Sequence, residues 1–271
     1  MQMTCPIKLI SIDVDFTLVN DDKKVPKENR KAILWARYQR GVHIAINSGR
    51  IAPSVRTYME EIGIDDAYPS LGGCIVQKAD GTIIEEHSID NRVALEIRNI
   101  GRSLDCGMFM YHHDNWFLDH GMEYWADSEA KASRTKGSLT DLEVLLGTTK
   151  PNKILAAHLN PDNTTELEKQ VKARFSDVVD CFKSSPWYLE IVPKGVNKGT
   201  AIQALCRHYG IGKDNVMAIG DYYNDVDMLN ASGLPVAMAN SPSDVKDIAK
   251  YVTEADNNHS GVAEAIYKFI F

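Results

Sequence analysis

Near both ends of the chain, short apolar runs take turns with segments whose apolar positions recur at the helical period. Ile7 to Ile12 reads as a strand. Pro26 then opens a helical pattern through Ala32, Ile33, Leu34 and Tyr38 that stops at Gly41, with proline at the start and glycine past the end as helix termini prefer. Val42 to Ile46 is a second strand, and an amphipathic segment follows it as far as Gly63. The alternation returns late: helix Lys198 to Tyr209, strand Val216 to Gly220, short helix Asp225 to Asn230, strand Leu234 to Met238, helix Pro242 to Lys250, then Tyr251 to Thr253 and a last helix from Gly261. Strands and helices in this order predict an α/β fold with a parallel sheet wound on both faces.

Between Ile83 and Trp187 the texture changes. Met108 to Tyr111 and Trp116 to Leu118 flank His112-His113-Asp114-Asn115 as the arms of a hairpin, followed by a strand at Lys153 to Leu159 and a helix from Thr164 to Phe175. The expected organisation is a Rossmann-like, doubly wound parallel-sheet core from residues 1–82 and 188–271, interrupted by an α+β domain at 83–187. Ser133 to Thr140 reads as a surface loop.

The 271 residues, 44% of them hydrophobic, are enough for a full core without staples. Five cysteines, odd in number and without Cys-x-x-Cys spacing, argue against a disulfide framework and a zinc-thiolate site, so a reducing cytoplasm is the expected location. The first strand is too short and too soon acidic for a signal peptide or membrane span. A net charge of -7 leaves no whole-chain footprint for nucleic acid, and a small molecule is the expected partner.

Candidate chemistry sits where the apolar strands end. Asp13 and Asp15 follow the first strand, and residues i and i+2 of an extended segment face one way, so both carboxylates are expected to share one small volume. Gly220-Asp221-Tyr222-Tyr223-Asn224-Asp225 follows another strand. Each motif alone reads equally as a solvated turn or a helix cap. Together, converging carboxylates call for a hard divalent cation, and Mg²⁺ suits oxygen ligands.

Four signatures, Asp13-Val14-Asp15-Phe16-Thr17, Ser48-Gly49-Arg50, Lys198-Gly199-Thr200 and Gly220-Asp221 through Asp225, resemble in order and content the haloacid dehalogenase superfamily. The long insertion, with Val236 to Pro242 and Gly261 to Ala263, is similar to the Cof-type sugar-phosphate phosphatases. The resemblance implies that Asp13 attacks phosphorus to form an aspartyl phosphate and that Asp15 is the general acid and base. It further implies that Lys198 and Ser48 steady the transferring group, and that Gly49, Arg50 and Asn240 contact substrate. Mg²⁺ would lie on Asp13, the backbone carbonyl of Asp15, Asp221 and Asn224, with Asp225 in support, and the insertion would act as a cap. Charge counting agrees: Asp13, Asp15 and Asp221 bring three negative charges and a phosphate about two more, against one from Lys198.

Phe16 and Tyr222 depart from the small residues usual at their positions, and Gly72-Gly73 stands where Asn-Gly is common. His112, His113 and His120 read as a wet hairpin surface rather than a metal site, and Trp116, Phe117, Trp125 and Trp187 as core. Two other functions share the phospho-aspartate: a phosphomutase, which returns the group to a bound sugar, and a non-enzymatic phospho-acceptor module, which lacks the second aspartate.

Overall fold

In the computed structural model, which describes residues 7–119 and 122–270, the chain opens with β1 (Leu9–Ile12), α1 (Lys27–Gln39), β2 (His43–Ile46) and α2 (Ala52–Ile62). Three short strands follow, β3 (Tyr68–Ser70), β4 (Ile75–Gln77) and β5 (Ile83–Glu86). The middle of the chain holds α3 (Asn91–Ser103), β6 (Gly107–His112), β7 (Asn115–Asp119), α4 (Glu123–Ser133), β8 (Ser138–Thr140) and α5 (Leu142–Leu146). It continues with β9 (Lys153–Ala157), α6 (Pro161–Phe175), β10 (Val179–Ser185) and β11 (Tyr188–Pro193). The last part comprises α7 (Lys198–Tyr209), β12 (Val216–Gly220), α8 (Val226–Asn230), β13 (Leu234–Ala237), α9 (Ser243–Asp247), β14 (Tyr251–Val252) and α10 (Gly261–Phe269).

Two compact units form, one from the described residues among 1–49, 55–85 and 197–271, the other from those among 50–54 and 86–196. In the first, a five-stranded parallel sheet runs β14-β13-β12-β1-β2. Strands β1 and β12 are buried at every position, as a parallel sheet covered on both faces requires. Helix α1 packs with α10 and α7 with α8. The α/β expectation for this part of the chain is met.

The second unit is built on a six-stranded sheet ordered β10-β11-β9-β6-β7-β8, antiparallel except for the β7–β8 pair. Ile97 and Ile100 of α3 and Leu167 and Val171 of α6 join Met108, Met110, Ile154, Ala156, Leu189 and Ile191 of the strands in one apolar cluster. Three details differ from the sequence expectations. Residues 188–193 do not rejoin the parallel core, because β11 pairs with β9 (Leu189 beside Ala156, Ile191 beside Ile154) and with β10. The expected loop at 133–140 contains β8, an edge strand whose Leu139 pairs with Leu118 while remaining exposed. Trp116 is core, but Trp187 is 48% exposed. No described helix is long and apolar enough to cross a membrane.

Candidate active site

Parallel pairing sets Ile12 beside Ile219, so the residues that leave the carboxyl ends of β1 and β12 emerge as neighbours. In open α/β sheets this edge is where ligands bind. Asp13 is the first residue past β1, its N–H donating to the Ile219 carbonyl at 3.0 Å, and Asp221 is the first past β12. Both are buried, at 5% and 6% exposure. The Thr17 hydroxyl donates to Asp221 Oδ1 at 2.9 Å and ties one strand-end loop to the other.

Asp15 sits on the turn that follows, and its charge still acts on Asp13 and Asp221. The strand ends at Ile12 and Asp13 is still extended (φ -69°, ψ 159°), but residues Val14–Leu18 curl into a kinked turn in which Phe16 takes a left-handed φ of 58°. Strict strand alternation is interrupted between the two, and Asp15 accepts from Lys23 Nζ at 2.9 Å with its side chain 36% exposed. The same ammonium lies 4.4 Å from the Phe16 ring centroid.

Lys198 arrives on the first residue of α7. Asn197 caps that helix by accepting from the N–H groups of Gly199 (2.9 Å) and Thr200 (3.0 Å), while the Thr200 hydroxyl accepts from the Asn197 N–H at 3.1 Å. Glycine is required next, because a Cβ at position 199 would lie 2.4 Å from the Asp227 carbonyl oxygen of α8. So fixed, the 3% exposed Lys198 ammonium donates to Asp13 Oδ1 at 2.5 Å and to Asp225 Oδ1 at 2.6 Å. The other Asp225 oxygen accepts from the N–H groups of Asp221 (2.9 Å) and Tyr222 (3.3 Å). Asp225 folds so closely over Gly220 that a Cβ there would come within 2.7 Å of it. One carboxylate oxygen each from Asp13, Asp221 and Asp225 lie within 4.8 Å of one another.

The other expected site residues are placed as follows. Asn47 continues the β2 register, its N–H donating to the Ile12 carbonyl at 2.9 Å, so buried Ser48 and exposed Gly49 come at the same edge of the sheet. Arg50 is grouped with the second unit and donates to Ser54 Oγ at 3.3 Å. Asn224 is exposed, on the short turn Tyr223–Asp225 just before α8. Asn240, also exposed, donates to the Phe16 carbonyl at 2.9 Å and so supports the turn that carries Asp15. Two residues were given no role by sequence reasoning. Thr17 bridges the loops, and fully buried Asn47 donates to the Lys198 carbonyl at 3.0 Å, linking β2 to α7. The available signal for Asn47 was a polar residue directly after an apolar strand.

An acidic pair after one strand, a second acidic loop after its neighbour and a lysine at a helix start recur across one known group. The family model for haloacid dehalogenase-like hydrolases matches residues 10–266. The chain belongs to that family. A Streptococcus pyogenes protein named a putative phosphatase is 32% identical over 97% of this chain and 98% of its own. The 5-amino-6-(5-phospho-D-ribitylamino)uracil phosphatase YcsE of Bacillus subtilis is 29% identical over 97% and 96%. Among solved structures, a haloacid dehalogenase-like hydrolase from Bacteroides thetaiotaomicron superposes with a TM-score of 0.88 at 26% identity, covering 97% of this chain and 99% of that one. The resemblance read from the four motifs is thereby borne out, and this haloacid dehalogenase-like protein is a hydrolase.

Its buried charges are out of balance. Burial, then the charge of Asp225, pushes Asp13 well above the usual carboxylate range, against the opposing pull of Lys198. Burial and Asp225 likewise raise Asp221 to about 7, despite the hydrogen bond from Thr17. Burial alone would lower the Lys198 ammonium, but Asp13 and Asp225 raise it instead, so it stays charged. Three carboxylates around one ammonium leave an excess of negative charge in a dry volume, which is costly unless protonated or countered. An all-oxygen donor set with such an excess fits a hard dication, Mg²⁺. Because both Asp225 oxygens are spent on Lys198 and the loop N–H groups, Asp13 and Asp221 are the better-placed ligands.

Proposed function

We propose that this haloacid dehalogenase-like hydrolase is a cytoplasmic, Mg²⁺-dependent phosphatase of small phosphorylated metabolites, with sugar phosphates the favoured class. The observation that carries the reading is the buried Lys198 ammonium shared by Asp13 and Asp225, with Asp221 in the same oxygen cluster. The phosphorylated ribityl chain in the name of the YcsE substrate supports a sugar-derived phosphate.

In this reading an Asp13 oxygen attacks phosphorus, the ester P–O bond breaks, and Asp15 gives its proton to the departing alkoxide. Asp15 then takes a proton from water as that water attacks the aspartyl phosphate, releasing inorganic phosphate and restoring Asp13. Lys198 steadies Asp13 and the charge that spreads over the phosphoryl oxygens. The Ser48 hydroxyl and Gly49 N–H bind one of those oxygens, and Arg50 and Asn240 contact the rest of the substrate. Asp13, Asp221, the Asp15 carbonyl and Asn224 would hold Mg²⁺, which when bound neutralises phosphate charge beside the nucleophile. The inserted domain acts as a cap that selects substrate and excludes bulk water.

A phosphate-release screen across sugar phosphates, nucleotides and phosphorylated cofactors tests this, with Asp13→Asn as the blank. Release should stop in excess chelator and return with Mg²⁺. Undiminished turnover in chelator, or in Asp15→Asn, overturns the mechanism. A requirement for a sugar bisphosphate without net phosphate release would mark a mutase instead.

A further inference from the structure

The β6–β7 hairpin carries two adjacent histidines, and adjacent side chains of an extended strand project to opposite faces. Here they do not, because His113, first of the two turn residues, adopts a left-handed φ of 51° and brings its ring onto that of His112, with centroids 4.2 Å apart and planes 18° from parallel. His112 Nδ1 lies 3.0 Å from the Lys150 carbonyl oxygen. A carbonyl only accepts, so Nδ1 carries the hydrogen and Nε2 of the neutral ring keeps its lone pair.

The carboxylate that meets the histidines comes from another segment. Glu86 Oε1 lies 2.9 Å from His113 Nε2 and accepts from Asn152 Nδ2 at 2.9 Å. Asn152 is fully buried, accepts from the His113 N–H at 2.9 Å, and donates to the His87 carbonyl (2.9 Å) and Ser88 Oγ (3.2 Å), so one rigid amide orients both the glutamate and the turn. One donor atom each from Glu86, His112 and His113 lie within 4.8 Å of one another. The side chains of His113 and Glu86 are 44% and 30% exposed, which leaves solvent access.

We propose that Glu86, His112 and His113 form a binding site for a divalent transition-metal ion of the Zn²⁺ type, built from none of the carboxylates around Lys198. Two imidazoles and one carboxylate favour Zn²⁺, Co²⁺ or Ni²⁺ over Mg²⁺, and three protein ligands leave a position for water. A histidine whose second ring nitrogen is held by a backbone carbonyl is oriented as metal-bound imidazoles are. The ion would fasten the hairpin to the Glu86–Ser88 segment and stabilise the folded chain by mass action.

Titration of the full chain with Co²⁺ in excess Mg²⁺ tests the site. The expected result is saturation at one Co²⁺ per chain with visible d–d absorption, displacement by Zn²⁺, and a Zn²⁺-dependent rise in Tm. His112→Gln and His113→Gln should each weaken binding by about tenfold or more, while Asp221→Asn leaves it unchanged. Glu86→Gln serves the same purpose should a histidine variant not fold. Absence of Co²⁺ binding in excess Mg²⁺, binding indifferent to the Glu86 and histidine substitutions, or binding lost in Asp221→Asn each overturns the proposal.

Discussion

Two clusters, one in each unit, treat buried charge in opposite ways. In the second, Arg98 is 9% exposed and grips Asp119 through Nε (2.9 Å) and Nη2 (3.2 Å), and the Leu142 N–H adds a third bond at 3.1 Å. Burial alone would raise Asp119, but these donors hold it below the usual carboxylate range. Lys153 and Glu190, also shielded, pair at 2.9 Å. In the first unit, Asp13, Asp221 and Asp225 share one ammonium, and Asp13 and Asp221 are pushed up. Matched buried charge holds a scaffold together. Unmatched buried charge at a strand terminus is a place prepared for something the chain itself does not supply, and is a mark of function.

The contrast can be broken at several points. The largest expected effect is on turnover: Asp13→Asn should lower phosphate release by about 10⁴-fold or more, with the circular dichroism spectrum unchanged. In the second unit, Asp119→Ala should cost about 3 kcal/mol in denaturant unfolding, because it leaves the shielded Arg98 guanidinium with only Glu143 and Asn99 as partners. Turnover per folded molecule should stay near that of the unsubstituted chain. A neutral outcome would mean that the pair is not structural.

Next in size is a pH effect. A carboxyl group whose pKa is higher folded than unfolded stabilises the fold at low pH, and this is lost as pH rises through the folded value. With Asp221 raised from 3.8 to about 7, the chelated protein should lose on the order of 1 kcal/mol per pH unit across that interval. Asp221→Asn should flatten the slope and, at pH 8 in chelator, stabilise the fold by about 1–3 kcal/mol. A destabilised Asp221→Asn under those conditions would erase the distinction between the units. The smallest change expected is at Phe16. Glycine there relieves the left-handed backbone but forfeits the contact with Lys23, so stability should move by less than about 1 kcal/mol while the substrate range shifts. An unaltered substrate profile would remove Phe16 from any part in selection.

Much of the parallel unit was legible because its signals are local. Apolar strands such as Leu9–Ile12 and Val216–Gly220 end abruptly in acidic loops, and helix α1 is bracketed by Pro26 and Gly41. The second unit was read less well. Its edge strand β8 is exposed and lacks an alternating pattern, and β11 looked like a return to the core although its partners are antiparallel. The turn that carries Asp15 was missed for a different reason: the alternation rule presumes continued extension, and the kinked turn at Val14–Leu18 interrupts it.

By itself, the sequence determined most strands and helices of the first unit and which residues bring carboxylate, ammonium and imidazole chemistry, because strand and helix periods are properties of neighbouring residues. Only the tertiary structure decided which of those groups meet. Lys198 reaches Asp13 across 185 positions because α7 is tied to the end of β2 through Asn47, and Glu86 reaches His113 because buried Asn152 holds both. Such meetings depend on the order of strands in a sheet and on the packing of distant side chains, which no local period encodes.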